Sequence, residues 1–314
     1  MKNEYLLTNQ IGGFSSSDLV EGNTRKYHGL LIVSDENLNR KVIVGAVEEK
    51  VTINGKEYFL NAARYKSGVK SPDGLKYIQK TIIKSNAIAI EYLVEGLKII
   101  KEINLSQENN SITLKYEISN SMPIKLDVSP FVTNRSIHSL KKYSNNAFFK
   151  TKKYLNTLDI ELSKEEELSI KVLSFNPKSL LNTNYYIDLE QTVYNDFKYI
   201  VEEERGLESI EDQIKVGTIE HEFEPGDNYI TLQFNYIDIL HDQPGKISNT
   251  LKPTIEMNDE AVNERNKIKN IRKYLFEKSD DFLIDYNNRK SIVAGYHWFN
   301  DWGRDTFISF KGLL

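Results

Sequence analysis

The sequence contains no cysteine, which excludes disulfide bonds, thiolate metal ligands and a catalytic thiol. Histidine is also scarce, with five copies scattered along the chain at positions 28, 138, 221, 241 and 297. His221-Glu222 begins like a zinc-protease helix, but no second histidine follows at the required spacing, and Pro225-Gly226 would end such a helix. We therefore expect no metal site.

Other absences exclude further classes of protein. No apolar run approaches the length needed to span a membrane, and the first residues lead into no secretory signal, so we expect a cytoplasmic protein. The net charge of −4 leaves no basic footprint for nucleic acid. Neither a P-loop nor a Gly-x-Gly-x-x-Gly motif after a strand is present, and we expect no cofactor.

Short β-branched segments separated by turn residues fill the chain from Tyr5 to about Phe234. Asn54-Gly55, between Val51–Ile53 and Glu57–Leu60, is a strong signal for a two-residue β-hairpin. Further strands are predicted over residues 87–92, 97–103, 112–118, 124–132 and 229–236. Since strands do not alternate with helices, the pattern predicts a mainly β protein of antiparallel sandwich layers.

The pattern becomes helical after Pro253. Asn258 is a candidate N-cap, and Ala261, Ile268, Ile271 and Leu275 make one apolar stripe on the helix that follows. Short extended pieces are predicted at 282–284 and 291–294, then a loop, then a helix over 305–314. We place a domain boundary near residue 255, which gives domains 1–255 and 256–314.

The predicted loop holds both tryptophans, Trp298 and Trp302, closely followed by Arg304-Asp305. Aromatic faces pack on the C–H faces of sugars, while a guanidinium and a carboxylate bind vicinal hydroxyls in fixed directions. This combination is typical of a carbohydrate pocket. The alternative is that the aromatic residues belong to a core and that Arg304 and Asp305 form a structural ion pair.

Gly295 to Leu314 resembles the signature of glycogen debranching enzymes of bacterial and archaeal type, where their amylo-α-1,6-glucosidase domain begins. Three further blocks of the chain resemble the same family: Glu4 to Leu31, Arg135 to Leu140, and Tyr194 to Asp212. The chain departs from the family at His297, where a proline is usual, and at Ser136, where an aspartate is usual. The resemblance spans nearly the whole chain.

This resemblance implies a large antiparallel β-sandwich (a supersandwich), followed by the beginning of an (α/α)6 helical toroid. It implies hydrolysis of α-1,6-glucosidic branch points in glycogen or limit dextrin, with a branched α-glucan as substrate. Family members continue beyond the Trp motif, so we expect this chain to be an incomplete N-terminal part that is inactive alone. Two alternatives stay open: a non-catalytic glucan-binding β-sandwich, and a glucoamylase-like α-1,4-glucosidase.

Glycoside hydrolysis requires two carboxyl groups that face the scissile bond from different sides. On one helical turn, the β-carbons of Asp301 and Asp305 would lie roughly 5–6 Å apart. An inverting enzyme needs roughly 6.5–9.5 Å between its carboxyl groups. We therefore predict a substrate-binding role for the motif residues Trp298, Asp301, Trp302, Arg304 and Asp305. The catalytic acid and base are expected beyond Leu314, with Asp301 as an alternative acid.

Overall fold

A computed structural model describes residues 3–84, 86–144, 146–175, 185–239, 275, 278–286 and 289–313. Over these residues the chain is mainly β. The first strands are β1 Glu4–Thr8, β2 Phe14–Asp18, β3 Gly29–Ser34, β4 Arg40–Ile53, β5 Lys56–Phe59, β6 Ala62–Arg64, β7 Lys70–Asp73, β8 Ile78–Ile83, β9 Ala87–Val94, β10 Leu97–Leu105 and β11 Ser111–Asn120. The next are β12 Ile124–Ser136, β13 Lys150–Tyr154, β14 Thr157–Glu161, β15 Glu166–Phe175, β16 Tyr185–Asp188, β17 Thr192–Lys198, β18 Ile210–Lys215, β19 Thr218–Phe223 and β20 Gly226–Asp238. The last are β21 Leu283–Tyr286, β22 Arg289–Gly295 and β23 Phe299–Asp301.

Helix is confined to short segments of the described chain. The α-helices with described bounds are α1 Ile200–Glu204 and α2 Gly303–Leu313, and 3₁₀ turns span Leu75–Tyr77 and Asp280–Phe282. Among the described helices, none combines the length and the apolar character that a membrane crossing requires.

Two large antiparallel sheets form the body of the protein. A ten-stranded sheet has the order β1-β2-β3-β4-β12-β18-β17, with β5 paired to β4, and with β19 paired to both β12 and β16. An eight-stranded sheet has the order β13-β14-β15-β20-β11-β10-β9-β8. All of the strand pairings are antiparallel, as the sequence pattern predicted.

The predicted strands and hairpin are confirmed. The five segments predicted between residues 87 and 236 lie within β9, β10, β11, β12 and β20. Asn54 and Gly55 join β4 to β5 with φ values of 51° and 75°. A two-residue hairpin turn of type I′ needs a positive φ at both positions, which Asn and Gly tolerate best.

The inner faces of the two large sheets share one apolar core. Strand β11 shows how the sequence builds it, because Ile112, Leu114, Tyr116 and Ile118 alternate with more accessible residues. Side chains of period two point to one face of a strand, so this alternation buries one face. Leu31 and Val44 of the opposite sheet belong to the same core cluster. The two sheets therefore pack face to face as a sandwich.

A buried polar contact crosses this core. The Glu49 carboxylate of β4 forms a salt bridge with Lys101 of β10 and accepts a hydrogen bond of 2.7 Å from the Tyr116 hydroxyl of β11. Glu49 is 1% exposed. Because a buried charge is costly without a partner, this contact favours one relative position of the two sheets.

The C-terminal segment forms a small sheet of β21, β22 and β23. The extended pieces predicted at 282–284 and 291–294 correspond to β21 and β22. The predicted loop was only partly right, because Phe299–Asp301 pairs with β22 as a strand. The last helix begins at Gly303, two residues before its predicted start. The boundary near residue 255 and the helix predicted from Asn258 lie outside the described residues, apart from Leu275.

A second buried ion pair joins β12 to β18. Arg135 and Glu211 are 3% and 0% exposed, and they form a two-pronged contact in which one N···O distance is 3.1 Å. The Tyr199 hydroxyl and the Thr133 hydroxyl also donate to Glu211, the latter over 3.1 Å. Burial opposes the charge of Arg135, but Glu211 and Tyr199 outweigh it and raise the pKa of the guanidinium.

Replacing Glu211 with Gln tests this ion pair. The variant leaves the buried Arg135 charge without its carboxylate, so we expect the free energy of unfolding to fall by about 3–5 kcal/mol. The matched control is Glu203→Gln, because Glu203 has a 55% exposed side chain that pairs with Lys198 at 2.8 Å. Exposed pairs contribute about 0–1 kcal/mol. Equal losses for the two variants in urea denaturation would contradict the assignment.

Candidate functional site

The segment Tyr296-His297-Trp298 packs into a socket on the β-sandwich. We call this surface the Trp298 socket; it consists of Phe14, Ser16, Arg25, Tyr27, His28, Arg40 and Arg205. The first six residues lie on β2, at the start of β4, or in the segment between β2 and β3, and Arg205 directly follows α1. The socket therefore brings residues that are far apart in sequence into contact with the segment that carries the predicted sugar-binding motif.

Trp298 is held by cations and an aromatic ring. The guanidinium carbons of Arg25 and Arg205 each lie 5.6 Å from the centre of the Trp298 ring. The Tyr27 ring meets the indole edge-on at a centroid distance of 5.8 Å. A guanidinium within about 6 Å of an indole face is attracted by the ring quadrupole. These contacts leave Trp298 partly buried rather than free as an open stacking platform.

His297 is the most buried member of the segment, with 8% exposure. Its Nε2 lies 3.0 Å from the Ser16 hydroxyl oxygen. Its ring is 5.4 Å from the Phe14 ring and 5.6 Å from the His28 ring, measured between centroids. The residue that departs from the family pattern is thus a structural contact between the C-terminal segment and the β-sandwich.

His28 is fully buried beside His297. Burial, together with the neighbouring His297 and Arg25, holds the pKa of His28 well below its usual value of 6.5. The neutral ring accepts a hydrogen bond at Nδ1 from the backbone N–H of Thr24 over 3.2 Å. Its Nε2 lies 3.8 Å from the Glu4 carboxylate, which is too long for a hydrogen bond. His28 therefore packs as a neutral structural group.

Arg40 fixes the segment from the other side. Its Nε donates to the backbone carbonyl of Gly12 over 2.8 Å, and its Nη1 donates to that of Phe299 over 3.0 Å. Its guanidinium carbon also lies 4.8 Å from the centre of the Tyr296 ring. Because the carbonyl of Phe299 belongs to β23, this arginine ties the small C-terminal sheet to the loop before β2.

All four sequence blocks that resemble the debranching enzymes meet around the socket. Arg25 forms a 2.9 Å ion pair with Glu4, and Arg135 donates to the backbone carbonyl of Lys26 over 2.6 Å. His138 and Tyr27 have ring centroids 5.7 Å apart. The block from Tyr194 to Asp212 contributes Glu211, which binds Arg135. Segments that are separate in sequence therefore form one continuous structural unit.

The predicted substrate residues fall into two groups. Trp298 lies in the socket, whereas Trp302 is half exposed and meets the Phe299 ring edge-on at 5.9 Å. Arg304 is largely exposed and pairs with Asp305 at 3.5 Å. The fifth residue, Asp301, accepts a hydrogen bond from the Ser291 hydroxyl over 3.1 Å. The structure does not bring the two tryptophans together as facing walls.

The surface around these residues is open. A shallow depression is lined by Arg25, Arg205, Trp298 and Phe299. Phe299, Trp302 and Phe307 are 48%, 50% and 80% exposed, so exposed aromatic residues lie on both sides of the start of α2. In the part of the chain that the structure describes, no group of three or more His, Asp and Glu side chains is arranged to hold a metal ion.

Sequence reasoning missed the roles of Arg40 and Arg205. Arg40 lies outside every block that suggested a function, and its role depends on Gly12 and Phe299, which are 28 and 259 residues away. Arg205 belongs to a recognised block, but nothing local links it to Trp298. Only the tertiary structure brings these cations to an aromatic ring.

Family models match two separate parts of the chain. Residues 3–230 match the model described as "Glycogen debranching enzyme N terminal". Residues 276–314 match the model described as "Amylo-alpha-1,6-glucosidase". A search of curated proteins found no match.

Similar solved structures include a GalM/aldose epimerase homologue from C. elegans, with 11% identity and a TM-score of 0.43, covering 76% of this chain and 100% of that one. The heparan sulfate lyase HepC from Pedobacter heparinus has 11% identity and a TM-score of 0.34, covering 72% of this chain and 30% of that one. A protein described as a kojibiose phosphorylase from the human microbiome has 12% identity and a TM-score of 0.35, covering 74% of this chain and 29% of that one. The chain thus spans less than a third of the last two proteins, and similarity at this level carries no functional argument.

The match to the N-terminal model covers more than half of the chain, and it includes three of the four blocks that meet at the Trp298 socket. The fourth block lies within the glucosidase match. The chain belongs to the glycogen debranching enzyme family.

Proposed function

We propose that this chain serves the hydrolysis of α-1,6-glucosidic branch points in glycogen or limit dextrin, and that it works in the cytoplasm. The observation that carries the proposal is the glucosidase-like motif itself, which keeps Trp302, Arg304 and Asp305 accessible beside the β-sandwich. A branched α-glucan is the substrate class that membership of the family supports.

In this proposal the two tryptophans have different roles. Trp302 supplies an exposed ring on which a glucose unit stacks, and Arg304 and Asp305 bind the hydroxyls of that unit. Trp298 is a positioning residue, because its ring is held between the β-sandwich and the motif by Arg25 and Arg205. The β-sandwich then fixes the place at which the substrate-binding residues begin.

The chemical step requires a general acid and a second carboxylate on opposite sides of the glycosidic bond. We propose that both belong to an (α/α)6 domain that continues the match at residues 276–314, beyond Leu314. In this proposal Asp301 is not the acid, and its carboxylate accepts a hydrogen bond from the Ser291 hydroxyl in the small C-terminal sheet. The role that remains for Asp301 is to shape the motif from which Trp302 and Arg304 project.

One prediction of this proposal concerns the 314-residue chain alone. We expect it to release no glucose from a phosphorylase limit dextrin, because the proposal assigns both catalytic carboxylates to positions beyond Leu314. Glucose release is measured with a coupled assay, and Asp301→Asn serves as the paired variant. Release of glucose by the chain that is abolished in Asp301→Asn would contradict the assignment and make Asp301 the acid.

Another prediction of this proposal concerns Asp305 and Trp302 in an enzyme with a complete glucosidase domain. A hydrogen bond to a charged group contributes about 1.5–3 kcal/mol, so Asp305→Ala should lower kcat/KM roughly ten- to a hundredfold. Trp302→Ala should weaken binding through lost stacking and leave the pH profile unchanged, because an indole carries no titrating proton.

Melting temperature and activity per folded molecule must be measured together for these variants. A purely structural role for the motif gives lower melting temperatures with unchanged activity per folded molecule. That pattern in both variants would remove the sugar-binding assignment.

A further inference from the structure

A groove lined with tyrosines lies on the β-sandwich, away from the Trp298 socket. It has a volume of about 410 Å³, which lies in the range of ligand pockets. We call it the tyrosine groove and define it by Glu48, Tyr58, Tyr65, Tyr77 and Tyr194. None of the residues that line it lines the depression at Trp298.

The tyrosines come from four different parts of the chain. Tyr58 lies on β5, Tyr65 directly follows β6, Tyr77 ends a 3₁₀ turn, and Tyr194 lies on β17. All four are partly exposed. Such rings offer apolar surface together with a polar edge, which is the combination that sugars and other amphipathic ligands require.

The rings of the groove pack against other aromatic rings. Tyr65 packs on Phe197 with ring centroids 5.2 Å apart, and Tyr194 packs on Phe131 at 5.0 Å. Tyr58 and Tyr77 meet edge-on at 6.3 Å. A binding surface whose rings are already fixed loses little conformational freedom when a ligand binds.

One wall of the groove depends on a glycine. The backbone N–H of Gly74 donates to the Asn61 carbonyl over 2.8 Å. A β-carbon at position 74 would lie 1.9 Å from the backbone oxygen of Phe59. The segment before the 3₁₀ turn can therefore lie against β5 only because residue 74 has no side chain.

Glu48 supplies an unused acceptor among the residues that line the groove. It is partly buried, and its carboxylate forms no side-chain hydrogen bond or salt bridge with the residues that the structure describes. Burial raises the pKa of Glu48, although Lys215 and Lys50 oppose the shift. Glu48, Tyr65 and Tyr194 line the same groove; burial raises the pKa of both tyrosines, and the Glu48 carboxylate adds to both shifts. A partly desolvated acceptor of this kind gains a partner when a ligand hydroxyl donates to it.

We propose that the tyrosine groove is a second glucan-binding site, which holds a linear α-1,4-glucan segment on the β-sandwich. The ligand class rests on the proposed function, since a debranching enzyme acts on a polymer with many outer chains. Three acidic side chains, Glu48, Glu57 and Asp73, outnumber the single basic one, Lys76, along the groove, and this excess of negative charge disfavours phosphate-bearing ligands. A neutral polymer of pyranose rings matches both the aromatic surface and the free acceptor.

A proline-rich peptide is the competing ligand, because extended proline helices also dock on aromatic grooves. The glucan is favoured by Glu48, since prolines have no N–H donor for this partly buried carboxylate whereas sugar hydroxyls are donors. The two ligands are distinguished by the same set of variants.

The test measures the binding of maltoheptaose to the 314-residue chain by calorimetry. It also measures the retardation of the chain in gels that contain glycogen. Tyr77→Ala and Glu48→Gln are each expected to weaken binding roughly tenfold. Tyr154→Ala is the matched control, because Tyr154 is a 57% exposed tyrosine on β13 and is expected to change nothing. Tyr77→Phe keeps the ring and should bind nearly as well as the wild type.

Melting temperatures show whether each variant is folded. If Tyr77→Ala is unstable, Glu48→Gln still tests the groove, because glutamine has nearly the same shape as glutamate. Absence of maltoheptaose binding, or binding that is unchanged in both folded variants, overturns the proposal. Binding of a proline-rich decapeptide that depends on Tyr77, without maltoheptaose binding, also overturns it. Maltoheptaose binding that is unchanged in the groove variants would not affect the prediction for Asp305→Ala, because that prediction is tested by glucose release.

Discussion

The surface that presents the Trp motif depends on the buried ion pair between Arg135 and Glu211. This pair joins β12 to β18, and each of its two side chains also forms a hydrogen bond to a segment that carries a different part of the socket. Arg135 donates to the Lys26 carbonyl and fixes the segment that carries Arg25 and Tyr27. The Glu211 carboxylate also accepts a hydrogen bond from the Tyr199 hydroxyl. Tyr199 precedes α1 directly, and Arg205 follows this helix at its other end. Since breaking a buried pair leaves an uncompensated charge, both sides of the Trp298 socket are held by one contact.

Arginine and aromatic contacts then connect the β-sandwich to the C-terminal segment. Arg25 and Arg205 bind the indole of Trp298, and Arg40 binds both the ring of Tyr296 and the carbonyl of Phe299. Planar guanidinium groups suit this task because they stack on rings and donate hydrogen bonds in the same plane. Trp298 is consequently a contact between the two parts of the chain, whereas Trp302 stays half exposed.

The sequence predicted much of the fold and less of the site. Alternation of apolar residues and the Asn54-Gly55 turn identified the strands correctly, because both signals are local. The Trp motif was recognised, but the different surroundings of Trp298 and Trp302 were not. That difference arises from Arg205, which lies 93 residues before Trp298 in the chain and reaches it only through the sheet pairing of β17 with β18. The tyrosine groove was missed for the same reason, since its four rings come from four separate elements.

The different surroundings of the two tryptophans are most directly tested by fluorescence quenching. Trp302→Phe leaves Trp298 as the sole tryptophan of the chain, and Trp298→Phe leaves Trp302. The account predicts that acrylamide quenches Trp298 weakly, because its Nε1 is buried and its ring is held by two arginines. Trp302, which is 50% exposed, should be quenched strongly. Equal quenching of the two single-tryptophan chains, with both folded, would contradict the docking of Trp298 in its socket.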